Sequence, residues 1–162
     1  MTLIDVGSEA KFRTGGNWNT NGQTDIGFAN PANASGFIYS VEVYAGGDIS
    51  AGEIGIFFNV ASNNYSTRDN ELVGTIVEDS KQTFTVELEI EAGDIIGIVG
   101  TSGGVVRDVS GGSGTAWKTG DYIPCTNETF SPVPSWDISL YGSGDDTPLE
   151  VAGNAIFFGM NF

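Results

Sequence analysis

The sequence predicts an all-β protein, a two-sheet antiparallel sandwich of about eight to ten strands. Three observations lead to this fold class. Residues 83–91 alternate strictly between polar and apolar side chains, which is typical of a strand buried on one face and hydrated on the other. Clusters of Gly, Asn, Asp, Ser and Pro interrupt similar segments throughout the chain. No stretch of helical length combines an apolar helical period with capping residues.

The same alternation assigns the individual strands in order. Residues 82–100 predict a β-hairpin, because residues 91–94 include a glycine that tolerates the positive φ of a tight turn. In residues 53–61 the side chains expected to face the core are Ile54, Ile56, Phe58 and Val60. Strands are predicted at residues 2–6, 24–29, 36–45, 53–61, 71–78, 82–91, 94–100, 104–109, 115–118, 135–142 and 150–161.

The domain organisation follows from a change in composition near the C-terminus. Residues 1–142 are expected to form the sandwich, residues 143–148 an acidic Gly/Ser/Asp spacer, and residues 149–162 an apolar strand or assembly arm. In an extended segment, side chains on both faces would be apolar, so both faces would need cover. The segment is either the closing strand of the sandwich or an arm that completes a neighbouring subunit by strand addition or swapping. The side chains on which this prediction depends are Val151, Ile156, Phe157, Phe158, Met160 and Phe162.

Composition excludes several classes of function. The net charge is −15, with only six Lys and Arg residues, so the chain has little with which to neutralise nucleic-acid phosphates or bind an anionic membrane. The absence of histidine removes the commonest general base and the commonest zinc ligand. The lone Cys125 cannot form an internal disulfide and is expected to be a buried or half-buried thiol. We therefore expect neither nucleic acid nor membrane as a partner.

The glutamates of the strongest strand suggest one enzymatic alternative. Glu87, Glu89 and Glu91 lie on one strand face and superficially resemble the catalytic strand of laminarinase- and lichenase-type glycosidases. Retaining hydrolysis needs two carboxyl groups about 5–5.5 Å apart, which one strand face can supply. The middle position is Glu rather than Asp, however, and the strand ends at once in a turn. A hydrated strand face that discourages edge-to-edge aggregation explains the glutamates better.

Two short acidic clusters leave open a structural Ca²⁺ ion. Residues 69–71 and residues 144–146 could supply oxygen ligands, although neither fits an EF-hand loop. Hydrated loop carboxylates are the favoured interpretation, so no cofactor is expected and no metal ligand is assigned.

Several aromatic residues could form a platform for sugar rings. Trp18 and Tyr65 lie in predicted loops, where core packing explains an aromatic less easily. Core packing explains Trp136 better, because its strand alternates cleanly. The candidate ligand-binding residues are Trp18, Tyr65, Trp117 and Tyr122.

Five segments together resemble a known viral domain. They are residues 30–44, 80–98, 107–114, 117–124 and 139–142. In order and character they are similar to a jelly-roll-like domain that recurs in bacteriophage and environmental viral structural proteins. The resemblance covers residues 4–142, and it implies a jelly-roll fold and a virion setting. It carries over no functional residues.

We therefore expect a non-enzymatic viral structural protein, a decoration or accessory subunit that assembles in many copies on a capsid or tail. Its expected partners are further copies of itself and a capsid or tail scaffold protein. The assembly contacts are expected at both termini, with Leu3 and Ile4 at the N-terminus. No signal peptide is recognisable, so we expect synthesis in a host cytoplasm and a final place on the virion surface. The alternatives are a carbohydrate-binding module for host-glycan adsorption and, third, a jelly-roll glycosidase.

Overall fold

The computed structural model describes residues 1–149, which form two antiparallel sheets without any helix in that range. The predicted all-β sandwich is confirmed, with more strands than the sequence suggested. The additional strands contain only two or three residues, too few for a period of two to be recognised. The fourteen strands are β1 (Leu3–Ser8), β2 (Asn17–Asn19), β3 (Gln23–Gly27), β4 (Gly36–Gly47), β5 (Ile49–Ala61), β6 (Asn64–Ile76), β7 (Lys81–Ile90), β8 (Ile95–Val99), β9 (Gly104–Asp108), β10 (Thr115–Thr119), β11 (Glu128–Thr129), β12 (Ser131–Val133), β13 (Asp137–Ile138) and β14 (Leu140–Asp145).

The two sheets have seven strands each. The first sheet has the order β1-β14-β4-β9-β13, with β7 also paired to β4 and β2 also paired to β9. The second sheet has the order β11-β6-β5-β8-β3-β10-β12. Strand β4 is the centre of the first sheet, because its length allows it to pair with β14, β7 and β9.

The main core lies between the sheets. Val41 and Val43 of β4 are fully buried and face the second sheet, whose Ile54 and Ile56 are equally buried. These side chains belong to one cluster to which both sheets contribute. Each fully buried aliphatic side chain stabilises the fold by about 1.5–3 kcal/mol relative to an exposed one.

A second apolar layer covers the outer face of the second sheet. The connection after β10 folds back over this face and places Ile123 and Phe130 on Phe57 of β5. Gly55 and Gly97 make room for the layer, since a Cβ atom at either position would come within 2.9 Å of the Phe57 ring.

Of the four side chains of residues 53–61 that were expected to face the core, only two do so. Ile54 and Ile56 face the main core as expected, but a β-bulge follows Ile56. Beyond the bulge, Phe57 is fully buried in the second layer, whereas Val60 is exposed and Phe58 only partly buried. The extra residue of this bulge is Arg68 of β6, so Phe57 follows the regular alternation and faces outward. Strand β5 pairs with β8 only as far as Phe57, so Phe58 and Val60 lie beyond the main core.

The predicted hairpin over residues 82–100 is wrong. Strand β7 pairs with β4 in the first sheet, whereas β8 pairs with β3 and β5 in the second sheet. The turn between them therefore crosses the edge of the sandwich. Asp94 fixes this crossing, because its carboxylate accepts hydrogen bonds from the Glu91 N–H at 2.8 Å and from Arg68 Nε of β6 at 2.5 Å. Both strands present apolar side chains to the same core. Their sequence pattern is therefore the same whether they pair as a hairpin or cross from one sheet to the other.

The C-terminal boundary lies later than predicted. Strand β14 continues to Asp145, which pairs with Leu3, so three residues of the predicted spacer belong to the first sheet. Asp146 then accepts a hydrogen bond from the Thr2 N–H at 2.8 Å. Residues 150–162, including the predicted terminal strand or arm, lie outside the described residues.

Candidate interaction surface

The predicted ligand-binding tryptophans lie at the core rather than in an open loop. Trp18 is only 6% exposed in β2 and packs edge-on against Trp136, with the ring centroids 4.6 Å apart. The Arg107 guanidinium covers both rings, at 4.4 Å from the Trp136 centroid and 5.7 Å from the Trp18 centroid. Trp117 borders the same cluster. The sequence around Trp18 was interpreted as a loop because β2 has only three residues, too few to show an alternating pattern.

The predicted ligand-binding tyrosines lie on the other side of the second sheet. Tyr65 is 8% exposed and packs on Phe28 and Phe130 in the second layer. Tyr122 contacts Phe130 edge-on, and the Lys118 ammonium lies 4.3 Å from the Tyr122 ring centroid. The four candidate aromatics are thus divided between two clusters on opposite sides of one sheet. They do not form a single platform for a sugar chain.

The predicted assembly residues of the N-terminus differ from one another. Leu3 is 74% exposed, but Ile4 is a core residue of its own chain and is 2% exposed. The alternation of β1 turns Ile4 and Val6 inward and Leu3 outward. Outside the described residues lie the remaining predicted contacts, Val151, Ile156, Phe157, Phe158, Met160 and Phe162.

The glutamates of β7 occupy a hydrated strand face, as predicted. Glu87 and Glu89 are exposed, with Leu88 buried between them. Glu91 forms an ion pair with Arg68 at 3.0 Å. None of these glutamates lines the pocket beside Leu3 and Tyr141 or the pocket beside Leu72 and Val99.

The acidic clusters that were considered for Ca²⁺ use their oxygens within the chain. Asp69 and Glu71 accept hydrogen bonds from backbone N–H groups of β7, and Asp146 accepts one from the N-terminal segment. Residues 1–149 contain no group of three or more His, Cys, Asp or Glu side chains arranged to hold a metal ion.

The single thiol is also placed unfavourably for catalysis. Cys125 is half-buried, and its Sγ lies 3.7 Å from Thr67 Oγ1 and from the Tyr65 carbonyl oxygen. Burial raises the pKa of the Cys125 thiol. A reactive cysteine needs the opposite shift, because the thiolate is the nucleophile.

An exposed surface that the sequence did not reveal lies on the outer side of the first sheet. In β4, Val41 and Val43 face the core, so the partly exposed residues that alternate with them point outward. Five aromatic side chains share this surface, which we name the aromatic face: Phe12, Phe37, Tyr39, Tyr44 and Tyr141.

Contacts between these rings define the aromatic face. The Phe37 and Tyr39 rings are nearly parallel, with an interplanar angle of 14° and centroids 6.1 Å apart. Phe12 is 64% exposed and meets Tyr44 edge-on at 6.2 Å. Tyr141 lies between these pairs, opposite Glu42 of β4 in the register. The face therefore extends across β14 and β4 and along most of β4.

Carboxylates surround the rings. The Tyr141 hydroxyl donates to Asp5 Oδ2 at 3.4 Å, and Glu42 forms an ion pair with Lys81 at 3.1 Å. Burial, together with the neighbouring Asp5 carboxylate, raises the pKa of Tyr141. Burial likewise raises the pKa of Tyr39, reinforced by the Asp145 charge. Both phenols therefore remain neutral hydrogen-bond donors at physiological pH.

A pocket of about 340 Å³ continues the aromatic face across β14 to β1. It exists because Ser143 and Gly144 are small, so the surface between Leu3 and Tyr141 is recessed. A second pocket, about 280 Å³, lies at Leu72 and Val99 on the second sheet.

Side chains cap the β1 and β7 edges of the first sheet. On the free edge of β1, the Asn33 side chain accepts from the Asp5 N–H at 3.0 Å and donates to the Leu3 carbonyl at 2.9 Å. On the free edge of β7, the N–H groups of Glu87 and Glu89 donate to carboxylates of β6 at 2.9 and 2.8 Å. A new strand would have to displace these side chains. A partner therefore meets the open face more readily than the β1 or β7 edge.

Comparisons with known proteins identify no relative of this chain. The chain matches no family model, no curated protein and no solved structure. Within residues 1–149 no helix is long and apolar enough to cross a membrane.

Proposed function

We propose that this protein is a non-enzymatic structural subunit that assembles in many copies on the capsid or tail of a virus. The aromatic face carries the proposal. Monomeric proteins seldom expose a contiguous apolar surface without using it for an interaction. The aromatic face combines exposed rings with capped neighbouring edges, on a molecule whose formal net charge is −15. The viral setting is supported by the sequence resemblance over residues 4–142.

The chemistry of the described residues favours assembly over catalysis. Neither pocket contains the paired glutamates, and the thiol has a raised pKa. An interaction surface needs only exposed apolar area and complementary shape, both of which the aromatic face and its adjoining pocket supply. Repulsion between acidic copies keeps them apart until such a contact forms.

The mass of the full-length protein in solution tests this proposal. We expect light scattering to detect an oligomer whose population increases between about 0.01 and 0.15 M salt, because salt screens the repulsion between like-charged copies. Phe12→Ser should shift the population towards monomer. Leu72→Ser is the matched control, since Phe12 and Leu72 are both 64% exposed and Leu72 lies on the second sheet. A monomer at every salt and protein concentration would contradict self-assembly.

A carbohydrate-binding module is the second candidate. The nearly parallel Phe37 and Tyr39 rings, with carboxylates beside them, could stack on a sugar ring and bind its hydroxyls. This function predicts a monomer that binds members of a glycan library and loses binding in Tyr39→Ala. Glycan binding that persists in Tyr39→Ala would contradict a site on the aromatic face.

A further inference from the structure

The end of the described chain lies on the aromatic face. After β14 the chain turns, with the Thr147 N–H donating to Asp145 Oδ1 at 2.8 Å. The Tyr39 hydroxyl then donates to the Thr147 carbonyl. The described chain thus ends beside Tyr39, at one end of the aromatic face.

Those residues have the composition of a partner for that surface. Residues 151–162 contain no Asp, Glu, Lys or Arg, whereas the protein as a whole is strongly acidic. In an extended conformation, Ile156, Phe158 and Met160 would share one side. Because its side chains beyond Glu150 are uncharged, the segment can approach an acidic neighbour with less repulsion than its folded domain would meet.

The segment is long enough to reach a neighbouring molecule. Thirteen extended residues span about 43 Å at about 3.3 Å per residue. The aromatic face from Tyr39 to Tyr44 measures about 17 Å on the same scale. The segment therefore exceeds its own face and can cross the roughly 10 Å between two stacked sheets before running along the second one.

We infer that the aromatic face binds residues 150–162 of a second copy of this chain. The inference rests on the proposed self-assembly and names the partner of the same surface. Because each chain leaves from the face that it would cover in its neighbour, two copies related by a two-fold axis exchange their C-terminal segments symmetrically. The contact is made on the face, since Asn33 and the carboxylates of β6 occupy the edges of β1 and β7.

Two full-length variants test the inference by complementation. The face variant, Phe12→Ser with Tyr44→Ser, retains an intact C-terminal segment. The segment variant, Phe157→Ser with Phe158→Ser, retains an intact aromatic face. We expect each variant alone to dissociate at a concentration at least about tenfold above that of the original protein, a loss of about 1.4 kcal/mol. An equimolar mixture should form a heterodimer, because one variant supplies the face and the other supplies the segment. Mass photometry or light scattering with one variant carrying a mass tag would detect it.

Controls separate lost contacts from lost folding. Each variant should retain the far-UV circular dichroism of the original protein, and Asn154→Ser is the matched polar change within the segment. Leu3→Ser, at a 74% exposed position beside the face, replaces the face variant if that variant does not fold.

The outcomes distinguish the inference from the proposed function. A heterodimer in the mixture supports binding between copies. Monomeric variants that stay monomeric when mixed would overturn the inference while self-assembly stands. Variants that remain oligomeric would show that the original protein assembles through another surface, which also overturns it. A monomeric original protein would overturn both.

Discussion

The two sheets of this protein differ in how their outer faces are covered. Both outer faces carry aromatic residues. On the second sheet, the connection after β10 covers Phe57 and Tyr65 with Ile123 and Phe130. On the first sheet, the described residues leave the aromatic face open, with Phe12 exposed and the other rings partly exposed. A sheet that is apolar on both faces needs cover on both.

The difference shows how one chain uses the same residue types for two purposes. The second sheet obtains its cover from residues that follow closely in the chain, so its aromatic residues stabilise the monomer. Within residues 1–149, the first sheet has capped β1 and β7 edges and an uncovered face, so its aromatic residues are available to another molecule. Aromatic residues beneath a covering loop belong to the core, whereas aromatic residues on a face without such a loop are available for an interface.

The largest expected effect comes from breaking the covered face. Phe130→Ala should reduce the free energy of unfolding by about 3–5 kcal/mol, because it leaves a cavity among Phe57, Tyr65 and Tyr122. The equivalent change on the open face, Phe12→Ala, should stay within about 0.5 kcal/mol of the original protein. Urea unfolding monitored by circular dichroism, at protein concentrations where the chain is monomeric, measures both. Equal losses in the two variants would refute the distinction between the faces.

The sequence was sufficient for the fold class and for the strands with regular alternation. Residues 83–91 were predicted as a half-hydrated strand, and Glu87, Leu88 and Glu89 have the expected exposures. Sheet membership was not predictable, because β7 and β8 present apolar side chains to one core whether they pair as a hairpin or cross between sheets. That choice depends on contacts of Asp94 with a strand far away in the sequence.

The candidate site was predicted less well, for two physical reasons. Trp18 and Tyr65 were expected in loops, but each belongs to a strand whose neighbours bury it. The aromatic face was missed because Tyr39 and Tyr44 are five residues apart, so regular alternation would place them on opposite faces of the strand. The β-bulge between Ile38 and Ser40 turns both side chains outward. The signal that was available is Tyr44, which regular alternation with Val41 and Val43 turns outward on the predicted strand.

A change between the sheets should alter stability without altering either outer face. Asp25 is fully buried, and within the described residues its Oδ2 has no hydrogen-bond partner. Burial raises the pKa of Asp25 well above its usual value, opposed by the Gln23 hydrogen bond and the Arg107 charge. The unfolded chain therefore releases this proton at a lower pH than the folded chain, so stability declines as the pH rises above about 4.

Asp25→Asn should remove that decline. We expect the variant to gain about 1–3 kcal/mol at pH 7 and little at pH 3, with unchanged association of copies. Urea unfolding at pH 3, 5 and 7 measures the gain, and Glu78→Gln at an exposed position controls for the loss of one charge. A gain that is equal at pH 3 and pH 7 would rule out the buried carboxylate as its cause.

The smallest expected effect distinguishes the aromatic face from the edge beside it. Asn33→Ala removes the side chain that caps β1 and should cost about 0.5–1 kcal/mol of unfolding free energy, because its two hydrogen bonds are exposed. If copies associate through the face, the dissociation constant should change by less than about twofold, or 0.4 kcal/mol. If they associate by adding a strand to β1, the uncapped N–H and carbonyl groups should strengthen association instead. Sedimentation equilibrium of the variant beside the original protein decides between these outcomes, since the face and the edge predict different dissociation constants for the same small loss of stability.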